Sequence, residues 1–287
     1  MTKQYGLLAF PAKHSLSPEI HSAAFKALSI DAQYGLFEIP ENELDDFVKR
    51  LKSDLIAGLS VSLPYKEVMI DHMSEIDDDA KKIGAINTVV NRDGILCGYN
   101  TDFIGSNKAL KEAVGELKGK KVVILGAGGA ARAVIYGLLK EGACVVGILN
   151  RTLETAENLA KEFSEMFNVQ IKAYSSENLA KDLPFKDDLG NEAILIQTTS
   201  IWTTNPDISE EYVRKFCPPE YVGMFATVMD IIYRPRITPL LKIAEDLGKK
   251  IITGDKMFLY QATEQFKLWT EKEAPFEVMR NVLEENL

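Results

Sequence analysis

The stretch AGLSVSLPYKEVMI (Ala57 to Ile70) alternates apolar residues with small hydroxyl residues, stops at Pro64, and sets Lys66 two residues on. The alternation reads as a buried strand, and the residues after Lys66 read as the opening turn of a helix. A lysine there is either a solvated surface charge, the ordinary fate of a lone lysine, or a group aimed into a cleft. In a cleft, an ammonium can pass a proton and stabilise a developing negative oxygen. Two further segments, KHSLSPEIH and CGYNTDFIG, also place polar side chains near strand ends.

A second constellation is LGAGGAARA, which fits G-x-G-x-x-A through Gly126, Gly128 and Ala131. Such glycines allow a tight turn and bring backbone N–H groups close to a pyrophosphate at the positive end of a helix. Alone the pattern is weak. Here it follows an apolar strand, KKVVIL, and opens a helix, which is the confirming context. The end of the next strand reads GILNRTLET. An NAD-binding unit carries an acidic residue near this point, to accept the ribose hydroxyls. Asn150, Arg151 and Thr152 stand there instead. A carboxylate would repel a 2′-phosphate, whereas a guanidinium can pair with it bidentately. NADP is the favoured cofactor; the alternative is that Arg151 is an ordinary surface charge and both cofactors bind.

The elements that must position these groups follow from the patterning. QYGLLAF, AQYGLFEI and IAGLSVSL read as strands. SPEIHSAAFKALSI reads as a helix capped by Ser17 with Pro18 at its first position, its face made of Ile20, Ala23, Ala24, Ala27 and Leu28. ENELDDFVKRLKS is a second helix, with Leu44, Phe47, Val48 and Leu51 on one face. AINTVVNRDGILCGYN reads as a hairpin turning at Arg92, Asp93 and Gly94. SNKALKEAVGEL is a connecting helix, and strand, glycine turn, helix and strand then follow as one βαβ unit. AILIQTTS, TVMDIIY and KKIITG are further strands. The reading is α/β in two domains: an α/β unit over residues 1–105 and a Rossmann-like dinucleotide-binding domain over residues 106–255. The helices of 256–287 return to the first domain or lie at the junction.

Composition bounds the partners. The chain has 287 residues, 46% hydrophobic and 26% charged, with a net charge of -9. That argues against nucleic acid or an anionic membrane as partner, though not against a small anion in a local basic pocket. Three cysteines and three histidines show no disulfide framework and no metal-ligand spacing. The N-terminus has no signal-peptide pattern, and the longest apolar stretch is broken by glycines and Arg132. A cytoplasmic enzyme acting on a small molecule, as monomer or homodimer, is the expectation.

The motifs HSLSP, LPYK, GAINTVV, GYNTDFIG, GAGGAARA, NRT, DIIYRPRITPL and GDKMFLYQA, in this order along nearly the whole chain, resemble the shikimate dehydrogenase family. The resemblance implies that residues 1–105 are a substrate-binding domain, with a cleft between it and the Rossmann-like domain, and it implies reversible reduction of 3-dehydroshikimate to shikimate by NADPH. It implies Lys66 and Asp102 as the catalytic pair. Ser15 and Ser17 would meet the substrate carboxylate, with Tyr233 nearby, and Ser62, Asn87 and Gln261 the ring hydroxyls. Gly126, Ala127, Gly128, Gly129 and Ala130 would cradle the pyrophosphate, Asn150, Arg151 and Thr152 the adenosine phosphate. Thr199, Gly254 and Met257 would complete the cofactor site. Which of Lys66 and Asp102 is the formal acid/base stays open, and Asp102 or Thr101 can instead cap the following helix. Gln261 lies one helical turn past Met257, and a lone Gln on that apolar face points to a ligand contact.

The chain departs from the family at several places. Ser60 stands where Asn is usual, and Ser62 where Thr is frequent. Gln197 replaces an Asn, Ile201 and Trp202 replace Gly-Met, and Asp255-Lys256 occupies an apolar site. A quinate/shikimate dehydrogenase using NAD or both cofactors is the alternative; its acidic residue near the ribose could here be only Glu154.

Overall fold

The computed structural model describes residues 2–13, 15–53, 56–179, 184–201 and 210–287. His14 and Trp202 lie outside them. The chain divides into two compact units. Met1–Gly105 with Leu259–Leu287 forms one, and Ser106–Phe258 the other.

The first unit holds β1 (Lys3–Ala9), α1 (Ser17–Ala27), β2 (Ala32–Glu38), α2 (Leu44–Ser53), β3 (Ile56–Val61), β4 (Glu75–Ile76), α3 (Asp78–Ile83), β5 (Thr88–Arg92) and β6 (Ile95–Tyr99). Its sheet runs β2-β1-β3-β5-β6-β4. The first three strands are parallel, and β5 and β6 run antiparallel as the expected hairpin. Asp93 and Gly94 both take positive φ at its turn, as a two-residue primed turn requires. Leu44, Phe47, Val48 and Leu51 of α2 pack with Leu8, Leu59 and Val89 of the sheet in one core cluster. The indole of Trp269 covers β3 so closely that a Cβ on Gly58 would lie 2.5 Å from its ring.

Three local expectations are corrected. Residues 63–67 form turns leading into a five-residue 3-10 helix, Val68–His72, so the residues after Lys66 do not open an α-helix. Ser17 is the first helical residue of α1 rather than its cap; the cap position is Leu16. The buried face of α1 is Ser17, Ile20, His21, Ala24 and Phe25, while Ala27 is exposed.

The second unit begins within α4 (Asp102–Val114). It continues through β7 (Lys121–Leu125), α5 (Gly129–Lys140), β8 (Cys144–Asn150), α6 (Leu153–Phe167), β9 (Lys172–Ser175) and β10 (Ile194–Gln197). Then come α7 (Glu210–Phe216), α8 (Pro219–Val222), β11 (Thr227–Asp230), α9 (Pro239–Asp246) and β12 (Lys250–Ile252). The division to the first unit falls again within α10 (Gly254–Thr270), and α11 (Phe276–Asn286) closes the chain. All six strands are parallel in the order β12-β11-β10-β7-β8-β9. This is the doubly wound order of a Rossmann domain. β7 and β10 are buried throughout apart from Lys121, because helices cover both faces of a parallel sheet. The order reverses between β7 and β10, so the turn after β7 and the loop after β10 flank the switch point, where ligands of this fold bind.

Candidate active site

Lys66 is placed by the ends of β1 and β3. Ser62 N–H donates to Leu8 O (2.9 Å), Tyr65 N–H to Ser62 O (2.8 Å), and Ile86 N–H to Lys66 O (2.7 Å). The fully buried Tyr65 ring anchors the turn. Asp102 begins α4. Its N–H is accepted by Asn100 Oδ1 at 3.0 Å, and as the first residue of α4 Asp102 is not its cap. The Asp102 carboxylate is thereby left for other partners. Lys66 Nζ sits 2.6 Å from Asp102 Oδ2, with side chains only 15% and 6% exposed. Two such groups taken from water contribute little net stability, yet losing one partner leaves a costly unpaired charge.

Asn87 completes the cluster. Its Nδ2 lies 2.8 Å from Asp102 Oδ1, 2.9 Å from Thr101 Oγ1 and 3.2 Å from Gln261 Oε1. An amide NH2 has two hydrogens for these three acceptors. One contact is therefore exchangeable, and Gln261 is the most distant. Asn87 Oδ1 accepts from Thr101 N–H at 2.8 Å and from Thr88 Oγ1 at 2.7 Å, which fixes which way the amide faces. Lys66, Asp102, Asn87 and Gln261 thus form one hydrogen-bonded cluster. Ser15 and Ser17 form a separate hydroxyl pair. Ser15 Oγ donates to Ser17 Oγ at 3.1 Å and accepts from Ser17 N–H at 3.2 Å. Ser62 is half-buried beside Lys66 in sequence.

Behind the cluster, Tyr34 and Gln265 escaped the sequence reading, and Ser60, read there only as a departure from the family, links them. Tyr34 Oη donates to Ser60 Oγ (2.7 Å), Ser60 Oγ to Gln265 Oε1 (2.8 Å), and Gln265 Nε2 to Asn87 O (2.9 Å). Gln261 is therefore not a lone buried Gln on α10. The signal was present: Gln265 stands one helical turn further on the same face.

In the second unit the glycine turn has the expected form. Gly126 takes φ +118°, and a Cβ on it would lie 2.4 Å from Thr198 Oγ1. Gly128 caps α5 without a side chain, and a Cβ there would meet nothing within 4 Å. Open space above a helix N-terminus is what an approaching pyrophosphate needs. Ala127 and Ala130 are half-buried on either side, and Gly129 is buried. Arg151 and Thr152 are exposed, and Asn150 Nδ2 donates to Thr152 O at 3.0 Å. Thr199 Oγ1 is buried with no hydrogen-bond partner among the described residues. These residues fit a dinucleotide. Gly254 abuts β11, since a Cβ on it would lie 2.4 Å from Ile231 O. Met257 is buried in α10. Tyr233 stacks on Phe258 with ring centroids 4.3 Å apart, and Asp255 pairs with Arg236 at 3.2 Å.

A Rossmann unit with an open glycine cradle, in one chain with a buried Lys–Asp pair, defines a nucleotide-dependent dehydrogenase. Comparison with known proteins narrows the class. Residues 7–89 match the model of the shikimate dehydrogenase substrate binding domain, 108–216 that of shikimate / quinate 5-dehydrogenase, and 256–284 the shikimate 5'-dehydrogenase C-terminal domain. The chain is 40% identical over 269 residues to the shikimate dehydrogenase (NADP(+)) of Thermococcus kodakarensis, covering 94% of this chain and 91% of that protein. A crystal structure of a shikimate dehydrogenase in complex with NADP+ superposes with a TM-score of 0.86 at 38% identity, over 99% of this chain and 95% of that one. The Listeria monocytogenes shikimate 5-dehydrogenase in complex with shikimate and NAD gives 0.85 at 31% identity, over 98% and 96%. The chain belongs to the shikimate dehydrogenase family.

Proposed function

We infer that this protein catalyses the reversible, NADP-dependent reduction of 3-dehydroshikimate to shikimate, a step toward aromatic amino acids. The observation that carries the reading is the Lys66–Asp102 pair at 2.6 Å, with Asn87 donating to the other carboxylate oxygen. Bound NADPH supplies the hydride. The chain's own residues handle the proton and the orientation. Lys66 Nζ has three donor hydrogens, and Asp102 accepts one of them. The others can meet the substrate oxygen as it gains negative charge and deliver a proton to it. Asp102 holds the ammonium in place and can itself accept a substrate hydroxyl, so protons lost and gained belong to the pair. Gln261 and Asn87 can exchange their mutual contact for ring hydroxyls. The Ser15–Ser17 hydroxyls can donate to the substrate carboxylate. On this reading residues 1–105 form the substrate domain and 106–255 the cofactor domain. Arg151 favours NADP, and the protein works in the cytoplasm as monomer or homodimer.

Steady-state rates with shikimate and quinate, each with NADP and NAD, test the reading. Shikimate with NADP is expected to give the highest kcat/KM. Quinate preferred with NAD would overturn it in favour of a quinate/shikimate dehydrogenase. The Listeria relative's complex with NAD makes the cofactor arm decisive.

A further inference from the structure

We propose that Gln197 is a positioning residue for the glycine turn, holding that turn in the shape that receives the cofactor's pyrophosphate; this rests on the turn being the NADP site. Gln197 ends β10 and is fully buried. Its Oε1 accepts the Thr199 N–H. Its Nε2 donates to Thr199 O at 3.0 Å and to Asp230 Oδ1 at 3.2 Å. One amide thus closes a ring on its own loop and pins that loop to the end of β11.

The far side of the same loop is fastened to the glycine turn. Thr198 N–H and Thr198 Oγ1 both donate to Leu125 O, at 2.8 and 2.9 Å, the carbonyl just before Gly126. Thr198 Oγ1 and Thr199 Cγ2 fill the space a Cβ of Gly126 would need, at 2.4 and 3.0 Å. The anchor is itself fixed. Asp230 accepts from Ile232 N–H at 3.0 Å and from Thr238 Oγ1 at 2.8 Å, and Thr238 caps α9. A buried amide is unfavourable in a strand unless its polar atoms are satisfied. Here both are, and the partners all belong to the loop and its anchor. The amide sets where Thr198 and Thr199 stand, and they set the path of the chain through Gly126. Thr199 Oγ1, without a partner among the described residues, can face the ligand.

The test uses the full chain and measures the NADP Kd directly by equilibrium titration, with shikimate binding and Tm alongside. Gln197→Met keeps the length and removes the amide. It is expected to weaken NADP by about tenfold or more, the scale of an orphaned buried N–H, with shikimate binding unchanged. Gln197→Glu keeps an acceptor for Thr199 N–H but sets a second carboxylate against Asp230. Two carboxylates sharing a site hold a proton between them more readily as pH falls. Among the described residues, Asp230 and Cys217 are titratable groups there, and the Cys217 thiol is pushed well up by burial and by Asp230. The Kd ratio of this variant to the native protein at equal pH is expected to shrink between about pH 8 and about pH 5.5. A Gln197→Met Kd within about twofold of native, or a pH-independent Gln197→Glu ratio, overturns the proposal. If the Met variant does not fold, the Glu series decides alone. Gly128→Asp is the control on the underlying reading: NADP binding that survives a carboxylate in the open cradle would refute the cofactor site itself.

Discussion

Removing the Lys66 ammonium takes away the donor that Asp102 and Asn87 hold in place, and leaves the backbone around it intact. Lys66→Ala is therefore expected to lower kcat by about 10² to 10⁴, the usual weight of a positioned proton donor. Shikimate Kd is expected to change little, because the ring hydroxyls keep Asn87 and Gln261. Rapid-mixing turnover together with direct shikimate titration separates the two; an affinity loss with kcat preserved would make Lys66 a binding group only. Arg151 is exposed at the end of β8, with no carboxylate on Asn150 or Thr152. Arg151→Ala should raise the NADP Kd far more than the NAD Kd. Equal effects on both would remove 2′-phosphate pairing as its role. At this scale the residue types were legible from the sequence and the Lys66–Asp102 pairing only through the family resemblance. Lys66 was legible as a lysine after a strand, yet only the fold shows Asn87 bound to the same carboxylate.

At the scale of elements, periodicity carried most of the fold. The α2 face, the β5–β6 hairpin and the βαβ unit were readable because burial on one face imposes a regular spacing. What escaped is where that spacing fails. β9 has four residues at a sheet edge with alternating burial, too short to show a pattern. The residues after Lys66 keep helix-like composition but close as a short 3-10 helix, with Ile70 N–H on Glu67 O and Met73 N–H on Ile70 O. The α1 cap was misplaced by a single residue because both Ser15 and Ser17 have capping chemistry, and Ser15 is the one that accepts. Gly58 was read only as a strand residue, since nothing local announces Trp269, which meets it across the sheet face. A Cβ there would lie 2.5 Å from the indole ring and 2.9 Å from Val89 O. Gly58→Ala should then destabilise the first unit by about 1–3 kcal/mol, the cost of overpacking a close contact. Urea unfolding followed by Trp269 fluorescence measures it, and an unchanged midpoint would mean that α10 shifts freely on β3.

At the scale of the whole molecule, acid stability should depend on one buried ring. His21 is completely enclosed, stacked on Tyr34 at 4.8 Å and tilted against Trp269 at 5.0 Å. Neither ring nitrogen has a hydrogen-bond partner at normal geometry among the described residues. Burial pushes its pKa down to about 3, and the neighbouring Gln265 amide opposes this only in part. The unfolded chain binds this proton near pH 6.5. Between about 6.5 and about 3 the unfolded state therefore holds a proton that the native state lacks, and stability rises with pH. The contribution is complete above pH 6.5 and is lost as pH falls through the window, by about 1.4 kcal/mol per unit. Going from pH 7 to pH 5 should cost about 2 kcal/mol from this residue alone. His21→Phe keeps an aromatic ring on Tyr34 and removes the titration. Urea unfolding at the two pH values, in a Trp202→Phe background so that Trp269 is the sole indole reporter, isolates the term. The native protein should lose about 2 kcal/mol more than the variant on acidification. Parallel losses would mean that His21 takes up its proton in the folded state as readily as in the unfolded one, and that the ring stack around it opens to water.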